Sequence, residues 1–227
     1  MNCFRFGFAT VIGSLLFSST AMAVPTTVIK IGLGETGPDV AMIAGVFGTT
    51  DDGVAGTTGL QNTDIDFTGF LSGMPDILNG ASFTLSNVLA SGPATLVGPV
   101  VSQNTTGGTF ELYDNSNNLL LSGVLGLGAI SGSTVSSAGA FFNVTTTTYT
   151  GGSLLPAVVS SPAGLSFSFT AITTNGLPGL LPGQNGYLSD FVADATGNLD
   201  AESVPEPMTL GLLGLGLAGA AVRRRRA

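Results

Sequence analysis

Oxygen ligands gather in two stretches of this chain. Asp51, Asp52, Asn62, Asp64 and Asp66 fall within sixteen residues, and Asp190, Asp194, Asn198, Asp200 and Glu202 fall within thirteen. A hard cation such as calcium takes six to eight oxygens, so Asp51, Asp52, Asp64 and Asp66 are the candidate metal ligands, although their spacing fits no defined calcium loop. Solvated loops with Asx-turns account for the same residues. A pair of carboxylates could also serve glycoside hydrolysis, which needs them about 5–10 Å apart in a cleft. With no Trp and three Tyr, an aromatic sugar platform is poorly supplied. The chain has no His, which removes the commonest general base near neutral pH and the commonest zinc ligand. No catalytic residues are assigned, and the chain is read as a non-enzyme.

The sharper pattern is C-terminal. Val204-Pro205-Glu206-Pro207 is followed by the uncharged apolar run Met208–Val222 and then by Arg223, Arg224, Arg225 and Arg226. Two prolines fix φ and remove two backbone donors, so Val204–Pro207 is expected to be extended, as a protease substrate must be. Fifteen residues make a helix of about 22 Å, short against a hydrocarbon core of about 30 Å. Snorkelling arginines and a thinned bilayer make up the difference. The arginine block keeps the last residues, 223–227, cytoplasmic by the positive-inside rule and leaves everything before the span on the other side.

The tail resembles the PEP-CTERM sorting segment of Gram-negative bacteria in all three of its parts. That resemblance implies recognition by exosortase, a membrane-embedded protease, with cleavage near Pro205–Pro207 and delivery to the cell surface or the exopolysaccharide matrix. An ordinary C-terminal anchor that is never cut is the alternative.

The N-terminus agrees with export. Arg5, the apolar run Phe6–Phe17 and the ending Ala21-Met22-Ala23 form a secretory signal peptide, 1–23, cleaved after Ala23, with Ala21 and Ala23 as the small residues of the cleavage site. The expected partners are accordingly the secretory translocon, signal peptidase and exosortase. Cys3, the single cysteine, lies in this leader, so the body has no disulfide and no thiolate metal site.

Between the two ends lies residues 24–203, long enough for one domain with a sizeable core. Of the six basic residues only Lys30 is in this body, against thirteen of the fourteen acids, a net charge of −12. Such a surface excludes nucleic acid, which binds through Lys and Arg.

The body reads as all-β. Apolar residues alternate over short runs between Gly, Ser, Thr and Asn, the pattern of half-buried strands. In Gly164–Ile172, Leu165, Phe167, Phe169 and Ala171 fall on one face and Ser166, Ser168 and Thr170 on the other. Asp64–Phe70 and Ser82–Leu85 alternate likewise. Thr109–Tyr113 and Leu119–Val124 flank the loop Asp114–Asn118 as a hairpin.

Further strands are expected at Thr27–Ile31, Val40–Phe47, Thr95–Val101, Phe141–Tyr149, Leu154–Val159 and Tyr187–Val192. A turn is expected at Asp194–Asn198, and loops at Thr49–Thr63 and Gly176–Gly186. About ten strands predict a single β-sandwich, jelly-roll or immunoglobulin-like, with a C-terminal transmembrane helix.

Two function classes follow: a structural or adhesive surface protein of the biofilm matrix, or a module of that matrix that binds exopolysaccharide or calcium. An ice-binding face is a remote third, because Thr145–Thr148 is one run in one strand and not a repeated array.

Overall fold

A computed structural model describes residues 26–34, 37–50, 61–67 and 77–203. Among them the chain forms sixteen strands and one 3₁₀ turn, Leu155–Ala157. The first eight strands are β1 (Thr26–Leu33), β2 (Val40–Ile43), β3 (Val46–Thr49), β4 (Gln61–Phe67), β5 (Ile77–Ser86), β6 (Val88–Ala90), β7 (Thr95–Val97) and β8 (Val100–Thr106). The rest are β9 (Thr109–Tyr113), β10 (Leu119–Leu125), β11 (Gly128–Ser133), β12 (Ala140–Val144), β13 (Thr147–Gly151), β14 (Val158–Thr174), β15 (Leu177–Pro178) and β16 (Phe191–Ser203).

All-β is what the alternation predicts, but the sandwich is replaced by a different closure. The strands form one hydrogen-bonded sheet in the order β13-β10-β9-β5-β4-β1-β16-β2-β3-β6-β8-β11-β12-β14-β15, and β14 also pairs with β16. That last pairing closes β16, β2, β3, β6, β8, β11, β12 and β14 into an eight-stranded ring, a barrel with no free edge around it. The remaining path β1-β4-β5-β9-β10-β13 branches off β16 and folds back over the ring, bringing β13 against β14 and β3 against β5.

Branching is possible because β14 and β16 are long and are paired along most of their length, from Val158↔Ser203 to Thr174↔Phe191. On its other side β16 is divided. Phe191–Ala193 pairs with β2, and Thr196–Ala201 pairs with β1.

The core is one cluster with two aromatic centres. In the ring, Phe47 meets Phe142, Phe169 and Phe191 with centroids 5.1, 5.6 and 6.2 Å apart. Under the branch, Phe83 packs on Phe110 and Phe167 at 6.1 and 5.5 Å, and Tyr149 meets the Phe110 ring edge-on. Phe167 and Phe169 stand two apart on β14, so one strand supplies both centres with large side chains.

Several expected strands are divided in the structure. Val40–Phe47 is a hairpin turning at Ala44 and Gly45, both at positive φ, 48° and 82°. Thr95–Val101 turns at Gly98-Pro99, so β7 pairs with β8. Phe141–Tyr149 breaks between Val144 and Thr147, where the chain leaves the ring for the branch. The expected strand Leu154–Val159 begins with the 3₁₀ turn, and Tyr187–Val192 is strand only from Phe191. Conversely, the expected turn Asp194–Asn198 is continuous strand.

Ala171 does not join the buried face of Leu165, Phe167 and Phe169. It has φ of 50° within a bulge between Thr170 and Thr173, which moves it to the surface and buries Ile172 instead. The hairpin β9–β10 forms as expected, with the Asp114 carboxylate accepting the Ser116 and Asn118 backbone N–H groups, both at 2.8 Å.

Candidate functional site

Most of the residues singled out by sequence lie outside the described residues: Ala21, Ala23, Asp51, Asp52, Val204, Pro205, Glu206, Pro207 and Arg223–Arg226, together with the expected span Met208–Val222. Among the described residues no helix is long and apolar enough to cross a membrane.

Asp64 and Asp66 are two apart on β4, on its outward face. Asp66 accepts from Lys30 Nζ at 3.3 Å, both side chains being about half exposed, and Lys30 is also its register partner on β1. In the second stretch, Asp200 accepts from Thr27 Oγ1 at 2.7 Å, and Asp190 Oδ1 accepts the Ala44 N–H at 2.8 Å. These acids are spread along strand faces and used singly. Among the described residues, no three of His, Cys, Asp and Glu are grouped to hold a metal.

The threonine run divides between faces: Thr147 is buried, Thr148 is exposed, and Thr145 Oγ1 is tied to the Leu127 carbonyl at 3.0 Å.

What the structure does build is a cleft of about 190 Å³ at the end of the ring where β16 begins. Asn175, Gln184, Asn185, Tyr187, Ser189 and Asp190 line it, with the Ala44-Gly45 turn of the β2–β3 hairpin as its floor. Its wall is the loop after β15. Gly183 N–H donates to the Tyr187 carbonyl at 2.6 Å, Ser189 N–H to that of Leu181 at 2.8 Å, and Pro182 bridges Leu188.

That loop is fastened from beneath by Gln103, which is fully buried on β8. Its Oε1 accepts the Leu188 N–H at 3.2 Å, and its Nε2 donates to the carbonyls of Gly92 and Asn104, both at 2.9 Å. Sequence reading missed Gln103 and the cleft. Val101 and Thr105, two residues to either side of Gln103 and equally buried, give the period-2 signal that Gln103 faces inward.

Comparison with known proteins identifies the end of the chain. Residues 203–226 match the PEP-CTERM protein-sorting motif. The chain therefore carries a sorting tail of the class that exosortase processes at the membrane, and the tail marks the protein as exported. No curated protein and no solved structure matches the chain.

Proposed function

We propose that this chain is a surface or extracellular-matrix protein whose β body is structural or adhesive and non-catalytic, held at the inner membrane by its tail until exosortase releases it. The sorting motif supports the export and the processing by exosortase, and the observation that carries that part of the reading is how the motif joins the fold. Ser203, the first matched residue, is the last residue of β16. A cut at Val204–Pro207 thus falls just beyond a strand already paired on both sides, and it leaves the ring and its branch whole.

The other expected cleavage is equally compatible. β1 begins at Thr26, three residues after Ala23, and Thr26 is paired with Ala201. Both mature ends leave the same end of the sheet, as they must if leader and tail are held by one membrane before processing. The permanently anchored alternative keeps the same geometry and differs only in the missing cut.

Replacing Pro205, Glu206 and Pro207 together by alanine is the test. The variant should keep its C-terminal tail and stay in the membrane fraction, while the parent loses the tail and is found at the surface. Identical size and location for both would overturn the proposal.

A further inference from the structure

We propose that the cleft bounded by Asn175, Gln184, Asn185, Tyr187, Ser189 and Asp190 binds a single residue of a neutral saccharide, such as the end of a glycan chain. The proposal deepens the reading of the body as an adhesive surface domain and rests on it.

The chemistry of the lining selects the ligand. The lining residues carry three amides, one hydroxyl, one carboxylate and one phenol. Asn175, Gln184 and Asn185 are exposed, so their amides are open to a ligand from solvent. Each offers a donor pair and an acceptor, which matches neighbouring sugar hydroxyls that both donate and accept. Tyr187, 38% exposed, supplies an aromatic face beside them.

Other ligand classes fit worse. Lys30 is the only basic side chain among the described residues, and it is paired with Asp66 on β4, so nothing in the cleft counters an anion. Asp190 is the one carboxylate among the lining residues, and its Oδ1 already accepts the Ala44 N–H, so at most one negative charge is there to offset a divalent cation. At about 190 Å³ the space falls below the roughly 300–1,000 Å³ of pockets for drug-sized ligands, which suits one ring.

The site is also set in advance and aimed outward. Gln103 fixes the loop from the buried side, so little ordering remains to oppose binding. Asp190 immediately precedes β16, whereas the sorting motif begins at its last residue. Thirteen residues of strand separate cleft from tail by up to about 40 Å, so the cleft opens at the end of the body away from the membrane attachment.

The experiment uses the full-length chain purified in detergent and titrated calorimetrically with the methyl glycosides of glucose, galactose, mannose and N-acetylglucosamine. Glucuronate and calcium chloride are the charged probes. At least one neutral glycoside should bind with a Kd on the order of 1 mM, and Tyr187→Ala should weaken it about tenfold. Gln184→Ala, at an exposed loop position, should weaken it about threefold with the thermal melt unchanged.

Absence of binding by every neutral glycoside overturns the proposal. So does binding that both variants leave intact, or binding of glucuronate or calcium alone. Because the titration does not depend on processing of the tail, failure here and failure of the export reading show in different measurements.

Discussion

Asp39 Oδ2 lies 2.7 Å from the backbone nitrogen of Ala195, at the point where the sheet forks. Below it β16 is paired with β2 through Ala193, and above it with β1 from Thr196, so Ala195 N–H faces the gap between two strands. The Asp39 carboxylate, 3% exposed, fills the place of a strand carbonyl, while its own N–H donates to the Ala193 carbonyl at 2.9 Å.

A buried donor stripped of a charged acceptor costs about 2–3 kcal/mol, so Asp39→Ala should lower the unfolding free energy by that amount. Asp39→Asn keeps an acceptor oxygen at the fork and should cost about 1 kcal/mol. Urea unfolding of the two variants checks the order, and equal stability of Asp39→Ala and parent would mean that the fork needs no acceptor.

The second prediction concerns paired glycines. Phe167 lies across Gly197, its register partner on β16, and Phe110 lies across Gly123 in the same way on β10. A Cβ on either glycine would run into the ring, and the rings belong to the packed aromatic centre around Phe83. Gly197→Ala should therefore destabilise by about 2–3 kcal/mol through overpacking. Gly98→Ala, with open space around it but φ of +60°, should cost only about 1 kcal/mol of backbone strain.

These two relationships show what was legible in the sequence. Strong alternation with large residues was easy to see, as in Leu165, Phe167 and Phe169. The buried face of β16 was not, because after Phe191 it runs Ala193, Ala195, Gly197, Leu199 and Ala201, and small residues among Asp, Thr and Asn look like a turn. They are small because β14 aromatics cross them and a second strand layer folds over.

Closure into a ring was illegible for a related reason. It depends on one strand, β16, pairing with β14, β2 and β1, and the local sign is a buried aspartate, Asp39, immediately before β2. The cleft was hidden differently: its residues come from the β2–β3 turn, the β14–β15 turn and the following loop, which only the folded chain brings together.

A third prediction follows from Tyr149, whose hydroxyl donates to the Asp200 carbonyl at 2.6 Å. Burial, and then the nearby Asp200 charge, push its phenol pKa well above the ordinary value. The protonated form is thus favoured in the folded state. Its contribution is complete below about pH 10, where the unfolded tyrosine ionises, and is lost as pH rises from there through the folded value. Stability of the parent should fall above about pH 10 more steeply than that of Tyr149→Phe. At neutral pH the same variant should be about 1 kcal/mol less stable, since the Asp200 carbonyl loses its donor. Parallel pH profiles for the two proteins would contradict the assignment.

The last prediction separates the cleft wall from the core beneath it. Gln103 is surrounded by the ring yet spends its amide on the loops: one bond to Leu188 in the cleft wall, one to Gly92 in the β6–β7 connection and one to the neighbouring Asn104 carbonyl. The Asn104 carbonyl also receives the Ser91 N–H at 2.8 Å, so losing Gln103 leaves Leu188 N–H and the Gly92 carbonyl as the groups most exposed to damage. Gln103→Leu retains volume and apolar packing while orphaning both, which should cost about 3 kcal/mol. Leu188 is itself 3% exposed, so its N–H cannot recover the loss from water without the loop lifting. Hydrogen exchange should therefore quicken at Leu188 and the adjacent cleft residues while β14 and β16, paired along most of their length, keep the protection of the parent. Uniform acceleration across the sheet would instead show that Gln103 stabilises the ring as a whole, and unchanged exchange at Leu188 would show that the loop holds its shape without it.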